Sequence, residues 1–267
     1  MDILIALSKL FSLNFTDFVN SLNQLPILIS WIFFLFFCLF VILLFLKLFG
    51  EVGMYIYTVI AIIAANIQVL KIVNFPFFDN PIALGTILFS TTYLATDILA
   101  EYYGTNYARK NILIGFVSFL IMTLFMLFTL GFPPLDASVG SDYSWALQVQ
   151  ENLMGIFMPF PTFFVASMIA YIISQYFDVW IYAKISEITN KKFLWVRNNI
   201  STMTSALLDN TIFSIFAWII LNPDPLDFNT VLFTFILGTY ILRIIIAIFD
   251  TPFIYLAKYF LPNRLNG

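Results

Sequence analysis

The sequence predicts an all-α fold, a polytopic membrane helical bundle, from three observations. Of 267 residues, 61% are hydrophobic and 10% charged, whereas soluble domains carry roughly 25% charged residues. The mean hydropathy is +0.96. Seven apolar runs each come close to or exceed the roughly 20 residues that a helix needs to cross about 30 Å of hydrocarbon.

Residues 1–26 mix apolar and polar groups, and 4–15 predict a short interfacial helix. The first span, 27–46, is too long and too far from Met1 for the h-region of a signal peptide, so it reads as retained. Further spans are predicted over 52–73, 82–102, 112–132, 160–182, 200–221 and 232–259. Short connections make them one bundle, with an N-terminal region carrying an additional span (1–50) and a six-helix domain (51–267). The longest non-apolar link, 133–152, holds Asp136, Asp142 and Glu151 but no Lys or Arg.

Charge sets the expected orientation. Arg109 and Lys110, then Lys184, Lys191, Lys192 and Arg197, then Lys258 and Arg264 fall in alternate links, while 133–152 and 222–229 carry no cation. The positive-inside rule assigns the basic links to the cytoplasm, with the N-terminus outside and the C-terminus inside a bacterial or archaeal cytoplasmic membrane. Lys47 agrees with this orientation, and Lys9 and Lys71 oppose it.

Several function classes are excluded by what the chain contains. There is no His, and the single Cys38 lies inside an apolar run, which leaves no disulfide framework and no ligand set for zinc, haem or iron–sulfur clusters. A phosphate-cradling glycine loop, a nucleophile elbow and a basic aromatic tract for nucleic acid are all missing. No cofactor or metal is predicted, and no nucleic-acid partner.

The informative residues are polar ones inside apolar runs. Asp97 and Glu101 lie four residues apart on one helical face, with Tyr93 a turn before them. Asp178, Asp209, Arg243 and Asp250 fall within other spans. An isolated charge at mid-membrane costs roughly 2.5 to 3.5 kcal/mol on insertion scales, so these groups are expected to converge inside the bundle. Arg243 can neutralise one acid, Asp209 or Asp250. The surplus acids must be protonated, wet, at an interface or facing a ligand.

Their neighbours are polar as well. Ser201, Thr202 and Ser205 precede Asp209 on one stripe and Phe213 follows it, Ser174 and Gln175 precede Asp178, and Asn66 and Lys71 add polar groups to the second span. Lys71 has an alternative role, snorkelling to the headgroups. A cation would be held here by charge alone. A heterocycle with adjacent N–H and NH2 donors would be held by a carboxylate, an amide and aromatic faces, and the Ser/Thr/Asn/Gln content favours that geometry. Spacing alone names no molecule. The competing classes are an intramembrane acid-dependent enzyme, which lacks a Gly-Asp-like active segment here, and a structural membrane protein.

At these residues the chain resembles the queuosine precursor transporter family, once classed as vitamin uptake proteins, over about 53–259. The marks are Ala65-Asn66-Ile67 with Lys71; Thr96-Asp97-Ile98-Leu99-Ala100-Glu101-Tyr102-Tyr103-Gly104 with Ala108-Arg109; Ala166-Ser167, Ala170-Tyr171, Ser174-Gln175 and Asp178; Leu194-Trp195-Val196-Arg197-Asn198 with Ser201-Thr202; Asp209 and Phe213; and Asp250-Thr251-Pro252 with Tyr255. The resemblance implies a six-helix core similar to the substrate-binding subunits of energy-coupling-factor importers, here with one extra N-terminal transmembrane helix. It also implies uptake of 7-cyano-7-deazaguanine or 7-aminomethyl-7-deazaguanine for the queuosine modification of tRNA.

A deazapurine site is then expected among Asn66, Lys71, Tyr93, Asp97, Glu101, Gln175, Asp178, Asn198, Asp209, Phe213, Arg243 and Asp250. Asp97 or Asp209 would accept from the base, and Asn66 or Gln175 would complete the rim. Glu101 and Arg109 would form a gate or a structural pair near the cytoplasmic surface. Three positions depart from the family pattern: Ala206, where Gln or Asn is common; Asn210, where Thr is common; and Arg243, where Lys is common. Energy coupling stays open between a proton-coupled carrier, using a surplus acid, and an importer subunit with motor partners. Oligomeric state is not specified by the sequence.

Overall fold

The computed structural model describes residues 2–78, 81–136, 138, 141–158 and 160–262. Two short helices come first, α1 (Asp2–Phe11) and α2 (Phe15–Asn23). They replace the single helix expected over 4–15, because the backbone turns left-handed at Leu13 (φ 60°) and Asn14 caps α2 by accepting from the Asp17 N–H.

Helix α3 (Ile27–Phe49) turns Leu35, Leu39, Ile42 and Leu46 inward at 3–4-residue spacing and leaves Phe37, Phe40, Leu44 and Leu48 exposed. A single residue, Gly50, joins it to α4 (Glu51–Gln68). The second span ends earlier than its hydropathy predicts. Beyond Gln68 the chain makes a small antiparallel hairpin, β1 (Ile72–Val73) and β2 (Ile82–Ala83), pairing Ile72 with Ala83 and Val73 with Ile82.

Helix α5 (Thr86–Tyr102) therefore starts four residues later than predicted. Its entry is set by Gly85, whose φ of 99° suits glycine and whose added Cβ would lie 2.8 Å from the Ala65 carbonyl oxygen. With 17 residues it is about 26 Å long. Almost everything from Thr86 to Leu99 is buried, and α5 touches α3, α4 and the four long helices that follow it in the chain.

Those helices are α6 (Thr105–Gly131), α8 (Phe160–Ile188), α9 (Leu194–Ile215) and α11 (Thr239–Ala257). Helix α7 (Ser144–Phe157) occupies much of the link over 133–152. Helix α9 continues as a π-helical turn, Phe216–Ile220, and α10 (Phe228–Thr230) passes through a second π-helical stretch, Val231–Gly238, into α11.

Among the described residues, six helical segments are long and apolar enough to cross a membrane: Ile27–Phe49, Glu51–Gln68, Thr105–Gly131, Phe163–Ile188, Leu194–Ile220 and Phe228–Phe260. The short, polar α5 runs in their midst. Apolar side chains gain little by leaving lipid for another helix, so association rests on close packing of small residues and on interior hydrogen bonds. Ala61, Ala65, Ala95, Ala166, Ala170 and Ala206 are all buried at such contacts.

Alternation of the helices gathers Lys47, Arg109, Lys110, Lys184, Lys191, Lys192 and Lys258 at one end of the bundle, which we call the basic end. The hairpin, α7 and the 221–227 link lie at the other end. Arg264 falls outside the described residues.

Candidate functional site

The interior polar groups form a stack of clusters between the two ends. Toward the hairpin end, α9 presents Asp209 and α11 presents Arg243, with Oδ2 and Nη1 2.6 Å apart. Ser174 of α8 donates to Asp209 Oδ1 at 3.1 Å, and Tyr93 of α5 donates to Ser174 at 3.0 Å. Four helices thus meet at one ion pair, whose side chains retain only 7% and 12% exposure. The contact runs through Nη1 alone, and Nε of Arg243 has no hydrogen-bond acceptor among the described residues. The guanidinium lies 5.9 Å from the Phe89 ring centroid.

A cavity of about 60 Å³ adjoins this pair, walled by Ser167, Tyr171, Asn210, Phe213, Trp218, Phe235 and Thr239. Trp218 stacks on Phe235, with centroids 4.5 Å apart, and meets Phe163 edge-on at 5.0 Å. Trp218 belongs to one π-helical stretch and Phe235 to the other. Such irregular turns mark functional sites more often than regular helix does. Asn210 of α9 holds the second stretch, donating to the Ile236 carbonyl at 3.2 Å and to Thr239 Oγ1 at 2.8 Å. Ser167 is fixed at the cavity edge by donating to Asn66 Oδ1 at 2.8 Å. The Tyr171 hydroxyl and the Trp218 indole N–H have no hydrogen-bond partner among the described residues.

The next cluster is neutral. Gln175 donates to Thr92 at 3.0 Å and accepts from Thr96 at 3.2 Å, and Asn111 donates to Thr58 at 2.9 Å and Thr96 at 3.2 Å. Amide and hydroxyl groups bind α4, α5, α6 and α8 together here.

Closer to the basic end come three buried acids, Asp97, Asp178 and Asp250, on α5, α8 and α11. Thr202 donates to Asp97 Oδ2 at 3.3 Å and Asn198 to Asp250 Oδ1 at 3.0 Å. At the basic end, Arg197 sends Nε and Nη2 to the two carboxylate oxygens of Glu101. Its Nη1 donates to the carbonyls of Lys191 and Lys192, both at 3.1 Å, and Tyr182 donates to Glu101 at 2.7 Å.

This arrangement sorts the residues singled out from sequence. Asp209, Arg243 and Phe213 line the cavity, Tyr93 reaches it through Ser174, and Asn66 through Ser167. Asp97, Asp178, Asn198 and Asp250 form a separate cluster, so Asp97 does not share the Asp209 cavity. Both polar groups of Gln175 are engaged within the bundle, away from the cavity rim. Glu101 pairs with Arg197 and not with Arg109, which is exposed. Lys71 is exposed beside the hairpin, because α4 ends before reaching it.

Tyr171, Trp218, Phe235 and Thr239 were not legible as site residues. The 4–3–4 spacing of Ser167, Tyr171, Ser174 and Asp178 would have found Tyr171. A π-helical turn leaves no comparable periodicity, so Trp218 and Phe235 had no such mark.

The apolar helical segments and the buried polar interior together define a polytopic membrane protein. A family described as "Putative vitamin uptake transporter" matches residues 83–257, from β2 to the end of α11. A protein of Bacillus subtilis (strain 168) named "Probable queuosine precursor transporter" is 33% identical over 222 residues, covering 83% of this chain and 90% of its own length. The chain belongs to this vitamin uptake transporter family: it is a multi-pass membrane transporter and not an enzyme. No solved structure matches it.

Proposed function

We propose that the chain imports a queuosine precursor, 7-cyano-7-deazaguanine or 7-aminomethyl-7-deazaguanine, and binds it at the Asp209–Arg243 pair. The observation that carries this reading is Arg243, buried and ion-paired through Nη1 yet with Nε left without an acceptor among the described residues, beside an aromatic cavity. The guanine-like edge offers N1–H and NH2 donors next to a carbonyl acceptor. A carboxylate takes the two donors and a guanidinium serves the carbonyl, both as charge-assisted hydrogen bonds. Phe213, Trp218 and Phe235 supply faces for the ring.

Two donors in the cavity wall without a partner among the described residues, the Tyr171 hydroxyl and the Trp218 N–H, suit a cyano nitrogen better than an ammonium. In competition, the cyano compound is therefore expected to win.

A cavity of about 60 Å³ has the volume of about two waters, too small for a bicyclic base. Entry then requires the π-helical walls carrying Trp218 and Phe235 to part. With the basic end in the cytoplasm, as the positive-inside rule favours, the cavity faces outward and the Glu101–Arg197 clamp closes the inner end. Residues 51–267 would form the transporting unit, with α3 packed against it.

The test is accumulation of labelled 7-cyano-7-deazaguanine in cells that cannot synthesise it. Uptake is expected with the wild-type chain and not with Asp209→Asn at equal membrane abundance. Equal uptake by both would remove Asp209 from the site.

A further inference from the structure

We propose that Asp97, Asp178 and Asp250 form a proton-carrying site that couples import to the proton gradient, so that the chain acts as a symporter without a motor subunit. The coupling half of this proposal rests on the import reading; the proton site itself does not.

All three acids are fully buried on different helices. Asp97 Oδ1, both oxygens of Asp178 and Asp250 Oδ2 have no donor among the described residues. One neutral acceptor adds to the imbalance: Asn198 Oδ1 is buried and unpartnered too. Asn198 already gives its N–H to Asp250, and the nearby hydroxyls are those of Ser201, whose proton also goes to the Asn198 carbonyl, and Ser205, both beside Asp178, too few for the oxygens of three carboxylates.

The site is thus rich in acceptors and poor in donors. Three adjacent carboxylates in a dry interior repel one another and leave buried lone pairs unmet. A proton on a carboxyl removes one charge and converts an acceptor into a donor, which is the correction this cluster needs.

The surrounding charges do not supply it. From α5 the flanking titratable groups are Tyr93 and Glu101, from α8 Tyr182, from α9 Arg197 and Asp209, and from α11 Arg243. Arg197 is held by Glu101 and Arg243 by Asp209. Helices α4 and α6 bring neutral Thr58 and Asn111 to Thr96, beside Asp97, while Lys110 of α6 lies out over the Tyr55 ring at 5.6 Å. A metal ion fits less well, since among the described residues no group of three or more acidic, Cys or His side chains is placed to hold one.

Position gives the cluster its role. Ser174, one turn before Asp178 on α8, donates to Asp209. Glu101 lies one turn beyond Asp97, and Asn198 directly follows Arg197. The acids therefore sit between the substrate cavity and the clamp at the basic end. Loss of a proton from a carboxyl O–H to cytoplasmic water restores repulsion among α5, α8 and α11 next to that clamp. Once the empty carrier has closed the clamp and faces outward again, one carboxylate takes a proton from outside as substrate binds, so that one proton enters with each substrate.

Two measurements on the full-length chain in lipid test this. Infrared spectra at neutral pH should contain the C=O stretch of a protonated carboxyl, diminished in Asp97→Asn, Asp178→Asn or Asp250→Asn proteins that keep wild-type helix content. Absence of the band, or its persistence in all three variants, overturns the proton site whatever the substrate is.

In sodium-free proteoliposomes with clamped membrane potential, an inside-alkaline gradient should drive accumulation of labelled 7-cyano-7-deazaguanine approaching about tenfold per pH unit for one proton. Asp178→Asn should lose that accumulation while counterflow exchange survives. Accumulation by the wild type that ignores the pH gradient, or that appears only once a sodium gradient is added, overturns the coupling. A protonated-carboxyl band without any labelled uptake or exchange by the wild type supports the proton site and overturns the substrate reading.

Discussion

Arg197 and Arg243 are both buried, each facing one acid from a neighbouring helix, but their donors are placed differently. Arg197 aligns Nε and Nη2 with both oxygens of Glu101 and gives Nη1 to two backbone carbonyls. Arg243 meets Asp209 through Nη1 at 2.6 Å and leaves Nε without an acceptor among the described residues, against an aromatic cavity. A buried cation with all its donors satisfied holds a structure together. One with donors to spare has the means to hold something else.

The largest expected effect follows from breaking the incomplete pair. Arg243→Met leaves Asp209 buried without a counter-charge, which costs about 3–5 kcal/mol and should abolish uptake, measured alongside membrane abundance. Arg243→Lys is the sharper probe. It retains the charge and loses the fork, so import should persist with affinity weaker on the order of tenfold, read from uptake against substrate concentration.

Breaking the complete pair should act on stability instead. Arg197→Met is expected to lower the free energy of unfolding by about 3 kcal/mol, at the low end for a buried pair because Glu101 keeps 22% exposure. Thermal unfolding in detergent would register that loss, while substrate affinity of the folded fraction should stay unchanged.

Smaller effects bracket the comparison. Asn111→Ala removes hydrogen bonds to Thr58 and Thr96, each worth about 0.6 kcal/mol in a membrane bundle, and should shift the melting temperature slightly without touching uptake. Lys71→Ala, at an exposed site away from the ion pair, should change stability by less than about 0.5 kcal/mol and leave the uptake rate as it was.

Much of this arrangement could be read from residue types. Charged groups inside apolar runs had to converge, and they did, because lipid offers them no alternative. Which acid met which cation was not legible: Glu101 finds Arg197, more than ninety positions away in sequence, and not nearby Arg109. Helix α5 lost its first four expected residues because hydropathy does not distinguish a buried strand such as Ile82–Ala83 from the start of a helix. The cavity walls at Trp218 and Phe235 depend on π-helical turns, whose hydrogen-bond shift has no compositional signature.

The most direct test of the contrast neutralises the acid of each pair without changing its shape. Equilibrium binding of labelled 7-cyano-7-deazaguanine to the purified chain would be compared for wild type, Asp209→Asn and Glu101→Gln. Loss of a charge-assisted acceptor at the ligand should weaken binding by Asp209→Asn on the order of 10- to 100-fold, with Glu101→Gln close to wild type. Equal affinities in all three, or a loss confined to Glu101→Gln, would contradict the assignment of the substrate to the Asp209–Arg243 pair.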